Sequence, residues 1–429
     1  MLLIVRFPYG KDEINITLLD EHLLSVAEFP QLNDASTELT ELRMGINNPI
    51  ASKGLRELAS EEKKVCIIVS DHTRAMPTQK VVPLILHELE MGGCRMDNVY
   101  VLVAYGLHAP VSGGEIHELL GQKTMETVHV LEHNAEDEDH LSYLGKTALG
   151  TNLWVNQILA ECDLIVGTGL IEPHFFAGYS GGRKAILPGV SGRDSIFQNH
   201  SFAMIGHPKA RYGMLNGNPI HLDMVDAAKL AQLDYIVNVI LDGNRLVKVF
   251  SGNPSLAHHK GTAFLDKWAK IRIPSKADIV IVSNGGYPMD RDLYQTVKGI
   301  ATGRLCVKRR GVIIVLSECL DGIGGGHKGF YQIMAEAESP EQVLQRIKKE
   351  EPIKDQWQAQ ILVRVLKHAN VIVVTEKLKP RLIEDMHMMP ASNADEALDL
   401  AYKLTSKQPK IVAVPDGPYV IPCPPIYDA

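Results

Sequence analysis

The apolar residues of the chain fall into short β-branched runs that end at glycine or polar positions, and these runs alternate with longer stretches of helical spacing. KVCIIVS (64–70), NVYVLVA (98–104), TVHVLE (127–132) and CDLIVGTG (162–169) predict one set of strands. Between the first two, TQKVVPLILHELEMGG repeats Leu, Ile and Val at helix spacing and stops at a glycine pair, despite Pro83 near its first turns. A second set, DIVIVSNGG (278–286), RRGVIIVLSEC (309–319), NVIVVTE (370–376) and PKIVAVPDG (409–417), is separated by helix-like segments such as SPEQVLQRIKKE and DQWQAQILVRVLKHA. This alternation is the pattern of parallel strands joined by crossover helices. One open sheet holding every strand would be unusually wide. The expected fold class is therefore α/β, with two α/β domains of mostly parallel sheets: 1–270 and 271–405, followed by a C-terminal segment, 406–429. The proline-rich VIPCPPIYDA cannot form a central strand and is expected to pack back on the first domain.

Composition narrows the function classes. With 429 residues and 45% of them apolar, the chain can bury a sizeable core. Fifty-one acidic against 44 basic side chains give a formal charge of -7, so no global positive field exists to hold a nucleic acid. The opening MLLIVRFPYG lacks a basic flank and a small-residue cleavage site, and the longest apolar runs fall far short of spanning length, so neither a signal peptide nor a membrane helix is expected. Cysteines 66, 94, 162, 306, 319 and 423 show no C-x-x-C spacing and read as reduced residues of a cytoplasmic protein without a thiolate metal site. The acidic EDED at 136–139 reads as solvated surface.

In open α/β sheets ligands collect beyond the carboxyl ends of the strands. Here the first strand runs into Asp71-His72-Thr73-Arg74, the second into Gly106-Leu107-His108 and the fourth into Glu172-Pro173-His174. In the second series, the first strand leads to Asn284-Gly285-Gly286-Tyr287-Pro288 and then to Tyr294, Gln295 and Lys298. Imidazoles titrate near neutrality, so His108 and His174 are candidates for two opposed acid/base groups if their strands lie close in the sheet. The densest signal is EPHFFAGYSGGRKAILPGVSG (172–192), where Gly178, Gly181 and Gly182 permit close backbone approach and Arg183 and Lys184 add positive charge. It is no Walker A sequence, since the glycine spacing differs and Ala185 supplies no hydroxyl. His200 can offer a neutral nitrogen to nickel or zinc, and a zinc hydrolase with His108, His174 and His200 as ligands fits the same letters. GGGHKG at 324–329 satisfies the dinucleotide fingerprint, but no acidic residue is clearly matched about 20 positions on, and a tight loop explains the glycines as well.

Together, DHTR, YGLH, EPHFFAGYSGGRKAILPG, Asn199-His200 and YQTVK make the sequence resemble the nickel-dependent lactate racemase family of 2-hydroxyacid racemases over essentially its full length. The resemblance implies a nickel-pincer nucleotide, pyridinium-3-thioamide-5-thiocarboxylic acid mononucleotide, attached covalently at Lys184, with His200 as the protein ligand to nickel. It implies that His108 and His174 are the acid/base pair, that hydride leaves the substrate's α carbon for the pincer ring, and that a planar 2-keto acid receives it back on either face. Arg74, Tyr294, Gln295 and Lys298 match substrate-binding positions, and Asp71 and Trp357 match positions near the cofactor. A guanidinium suits a carboxylate clamp, and a lysine adds charge against a developing keto oxygen. The site is then expected in an interdomain cleft. Phe175 and Phe176 favour a small lactate-like side chain over a second carboxylate. The implied partners are a small 2-hydroxy acid and the proteins that make the cofactor. The competing classes are an NAD-dependent 2-hydroxyacid dehydrogenase, which would release a keto acid, and a nickel-binding protein without turnover, which would leave Arg74, Tyr294, Gln295 and Lys298 without a common task.

Overall fold

The computed structural model describes residues 1–32, 37–72, 74–108, 110, 113–406 and 408–425. The chain divides into two compact units, one formed by Gln31–His200 with Lys209–Asp266, the other by Met1–Pro30, Ser201–Pro208 and Lys267–Ala429.

In the first of these a six-stranded sheet has the spatial order Arg245–Gly252, Tyr235–Asp242, Leu164–Leu170, Val65–Ser70, Val99–Ala104, His129–Glu132. All neighbours pair in parallel except the edge strand Arg245–Gly252, which returns antiparallel beside Tyr235–Asp242. Val65, Ile67 and Val69 bury alternate side chains with Val99, Val101 and Val103, against Val81, Val82, Ile85 and Leu89 of the helix Thr78–Met91. Strands covered on both faces read as nearly continuous apolar runs, which is why these were visible in the sequence.

The other unit holds a wholly parallel six-stranded sheet ordered Met389–Ala391, Asn370–Val374, Val307–Leu316, Ala277–Ser283, Ile411–Val414, Leu23–Val26. An antiparallel hairpin, Leu2–Tyr9 with Asp12–Leu19, turns Val5, Phe7, Ile16 and Leu18 into this unit's core beside Ile279, Ile281 and Ile314. The fold is thus α/β with parallel and mixed sheets.

Two features differ from the sequence reading. Residues 1–30 belong with the C-terminal unit, because Leu23–Val26 completes its sheet beside Ile411–Val414. The segment after 405 also belongs to that unit: Ile411–Val414 is an inner strand, and Ile421–Cys423 pairs in parallel with Lys270–Arg272. The prolines restrict this last strand to a two-stranded pair, as their missing N–H groups require. Among the described residues no helix is long and apolar enough to cross a membrane.

Candidate active site

The winding of the first sheet reverses at Val65–Ser70. The chain moves outward through Val99–Ala104 and His129–Glu132, returns to Leu164–Leu170 on the opposite side, and moves outward again. Such a reversal opens a crevice beyond the strand carboxyl ends. Asp71 and Arg74 follow the central strand, while His108 and His174 follow its two neighbours. Two strand spacings separate the strands that carry the histidines, about 10 Å, enough for a small molecule between them.

Asp71 is buried, and its Oδ2 lies 2.7 Å from His108 Nδ1. A carboxylate can only accept, so Nδ1 donates, and in the neutral ring the lone pair lies on Nε2. The resemblance associated Asp71 with the cofactor; the structure adds this direct bond to the histidine. Arg74 sits in the turn after Asp71, its N–H donating to the Asp71 carbonyl at 3.3 Å, and its side chain is half-buried. Thr73 of the same motif lies outside the described residues. Gly106, at φ +55°, donates its N–H to the Gly189 carbonyl at 2.9 Å, tying the His108 loop to the lysine loop.

His174 has the opposite polarity. Its Nδ1 accepts from the N–H of Ala177 at 3.2 Å and, more weakly, of Phe176 at 3.5 Å, so neutral His174 carries its proton on Nε2. The Phe176 ring stands edge-on to His174 at 4.5 Å and to His200 at 5.1 Å. Phe175 lies at 5.0 Å from His174, which makes this wall apolar.

Lys184 stands in the single helical turn Gly182–Ala185, entered through Gly181 at φ +76° and Gly182 at φ +56°. A Cβ on Gly182 would meet the His258 ring at 2.8 Å, so only glycine brings this turn so close. His200 ends the helix Arg193–Asn199. Its neighbour Asn199 donates to Asp223 at 2.7 Å, and Thr147 and Thr151 donate to the same wholly buried carboxylate at 2.5 and 2.8 Å. Burial, reinforced by the Lys184 charge, pushes the His200 imidazole down to about 3, so it is neutral at any ordinary pH. That is the form in which an imidazole binds nickel. Among the described residues no group of three or more His, Cys, Asp or Glu side chains is gathered to hold a metal, so His108, His174 and His200 do not form a three-histidine zinc site. A nickel ion at His200 must bring most of its donors with it. The residues therefore fit a cofactor that carries its own ligands to the metal, with the Lys184 charge close by.

In the other unit, Asp292 caps the helix Leu293–Cys306 by accepting from Gln295 N at 2.7 Å. Gln295 and Lys298, three residues apart, share one partly exposed face, whereas Tyr294 turns into the packing. Trp357 Nε1 donates to the Tyr294 hydroxyl at 3.3 Å. The His327 ring lies flat on the Tyr294 ring, 3.6 Å between centroids, and its Nδ1 is 2.8 Å from Asp355 Oδ2. Burial first, then the Asp355 charge, holds the Tyr294 phenol well above its usual range. Sequence reasoning missed His327 and Asp355. The signal was GGGHKG, whose glycines drew attention to phosphate binding instead of the histidine among them.

An acid/base pair at the switch point of a doubly wound sheet defines an α/β enzyme of proton-transfer chemistry. Residues 9–213 match the lactate racemase N-terminal domain and residues 273–422 the lactate racemase C-terminal domain. The chain is 39% identical over 425 residues to the lactate racemase of Thermoanaerobacterium thermosaccharolyticum, covering 97% of this chain and 98% of that protein. It is 36% identical to the lactate racemase of Lactiplantibacillus plantarum, covering 97% and 99%. Among solved structures it matches the lactate racemase apoprotein of T. thermosaccharolyticum with a TM-score of 0.92 at 38% identity, over 98% of this chain and 100% of that one. A Thermotoga maritima protein shares the fold at a TM-score of 0.68 and 17% identity, over 92% and 99% of the two chains. The chain belongs to the lactate racemase family.

Proposed function

We propose that the protein interconverts the enantiomers of a small 2-hydroxy acid, lactate first, with His108 and His174 addressing the substrate hydroxyl and with a nickel-pincer nucleotide held at Lys184 and His200. The observation that carries this reading is the pair of strand-end histidines in opposite tautomers, on either side of the strand that ends at Asp71. His108 Nε2 takes the hydroxyl proton of one enantiomer, and Asp71 stabilises the imidazolium that results. His174, with Nε2–H, donates a hydrogen bond to a substrate oxygen in its resting form. To accept a proton from the opposite enantiomer, it must carry its own proton on Nδ1 and open the Ala177 bond. The cofactor, when bound, supplies a reversible hydride acceptor, so no net redox equivalent is consumed.

Arg74 clamps the carboxylate, and Gln295 and Lys298 complete its charge and hydrogen bonding. Tyr294 and Trp357 hold the first turn of the helix that carries Gln295 and Lys298. Phe175 and Phe176 favour a lactate-sized side chain. The partners are the substrate and the cofactor-making proteins, in the cytoplasm. Co-expressed with those proteins, the chain should convert pure L- or D-lactate to the racemate without accumulating pyruvate. Net keto acid formation would point to a dehydrogenase instead.

A further inference from the structure

The loop after the strand Leu164–Leu170 returns on itself as a two-residue antiparallel pair, Pro173 opposite Tyr179 and His174 opposite Gly178. Within it the N–H of Ala177 points at His174 Nδ1, and two side chains from outside the return grip the backbone on either side of that N–H. Asn218 Nδ2 donates to the Phe176 carbonyl at 2.8 Å, in the same peptide plane as the Ala177 N–H. Arg183 Nη2 donates to the Ala177 carbonyl at 2.8 Å, in the next plane, and its Nη1 reaches the Gly181 carbonyl at 3.1 Å.

Both side chains are buried, and both are occupied by the loop. Asn218 also caps the helix Pro219–Leu230 through Oδ1, which accepts from Ile220 N at 3.1 Å, while Nδ2 makes a second bond to Met214 O at 2.9 Å. Gly178 completes the fit: at φ +81° a Cβ there would meet the Met214 carbonyl oxygen at 2.4 Å. Arg183, stripped of water, donates to carbonyl oxygens, and burial pulls its guanidinium down to about 9. A buried guanidinium that donates to two successive stretches of the loop fixes the carbonyls it binds.

We infer that Asn218 and Arg183 are positioning residues that aim the Ala177 N–H at His174 Nδ1 and so dictate which nitrogen of His174 carries its proton. This deepens the racemase reading, on which the role of His174 rests. With the clamp intact, Nδ1 is an acceptor and the proton of the neutral ring sits on Nε2. Without it, the 176–177 peptide can turn, and Nδ1 is free to take a proton. The histidine then loses the asymmetry that sets it apart from His108, and the lysine turn loses one of its anchors through Arg183.

N218D tests the inference, because aspartate is as good an N-cap as asparagine but presents an oxygen where Nδ2 donated. R183K is the second variant: it keeps the charge and loses the fork that spans two carbonyls. The readout is ¹⁵N-histidine NMR of the full chain, with the His174 signals assigned by H174Q, together with exchange of the Ala177 amide. The wild type should show an unprotonated Nδ1 at pH 7 and a protected Ala177 amide. Both variants should speed Ala177 exchange by about tenfold or more and populate Nδ1-protonated His174. Unchanged His174 signals and Ala177 protection in both variants would overturn the inference, whatever happens to activity. Because the NMR readout needs no turnover, a wild type that fails to racemise lactate would count against the functional reading alone.

Discussion

Replacing Asp71 by asparagine removes one charge while leaving an oxygen to accept from His108 Nδ1. The two groups are 2.7 Å apart, the carboxylate is 3% exposed and the imidazole 28%, so solvent screens the pair weakly. When His108 takes the hydroxyl proton it becomes a cation, and its charge centre lies on the order of 4 Å from the carboxylate's, where an effective dielectric of 20 gives about 4 kcal/mol of attraction. A hydrogen bond to a charged group is worth a net of about 1.5–3 kcal/mol. Taking about 2 to 4 kcal/mol as the loss confined to the step in which charge develops, kcat should fall by roughly 30- to 1000-fold. The assay is the initial rate of each lactate enantiomer by chiral chromatography, with nickel content matched to wild type. D71N within about threefold of wild type in both directions, at equal loading, would refute the charge-stabilising role of Asp71 and with it the assignment of His108 as the base.

Three other outcomes follow from the same geometry. K184A should lose the covalent mass increment of the cofactor in intact-protein mass spectrometry, whereas H200A should chiefly lose nickel; the same adduct on K184A would remove Lys184 from its role. Acid should destabilise the fold early: burial holds His133 down to about 4 and His200 to about 3, while the unfolded chain protonates them near 6.5, so their effect is absent above pH 6.5 and stability falls as pH drops below it. At pH 5.5 the pair should cost about 3 kcal/mol, and urea titrations of wild type against H133N should show the variant's shallower slope; parallel slopes would contradict it. D355N should bring the Tyr294 phenol part of the way down towards its ordinary range, since burial still raises it once the Asp355 charge is gone; the alkaline absorbance change lost in Y294F would report this, and an unshifted titration would break the proposed link.

What the sequence made legible depended on burial and on local pattern. Strands 65–70, 99–104, 164–170, 277–283, 307–316, 370–374 and 411–414 carry dense β-branched runs because sheet and helices cover them, and all were expected within a few residues. Tyr235–Asp242 and Arg245–Gly252 went unread, although Asp242-Gly243 between two apolar runs is a hairpin signal. The N-terminal hairpin was missed because its alternating residues leave Leu2 and Ile4 exposed, so its apolar letters looked like a short undirected run. Which sheet the first thirty residues join depends on a pairing some 390 positions away, Leu23 with Ile411, and no local pattern encodes that. At the site, the motifs supplied the residue list. They could not supply the partners: Asp71 on His108, Asn218 behind Ala177, and Asp355 beneath His327 are contacts between segments distant in sequence.

Hydride that leaves and returns to the same carbon within one site sets the proposed reaction apart from deprotonation of that carbon. The direct measurement is the fate of deuterium when cofactor-loaded protein converts L-lactate deuterated at the α carbon in ordinary water, read by mass spectrometry of the D-lactate formed. The product should keep its α deuterium, because the hydride is held out of contact with solvent while the keto acid presents its other face. D-lactate carrying α protium from water, at a rate matching racemisation, would show that the carbon is deprotonated instead, and would contradict the account.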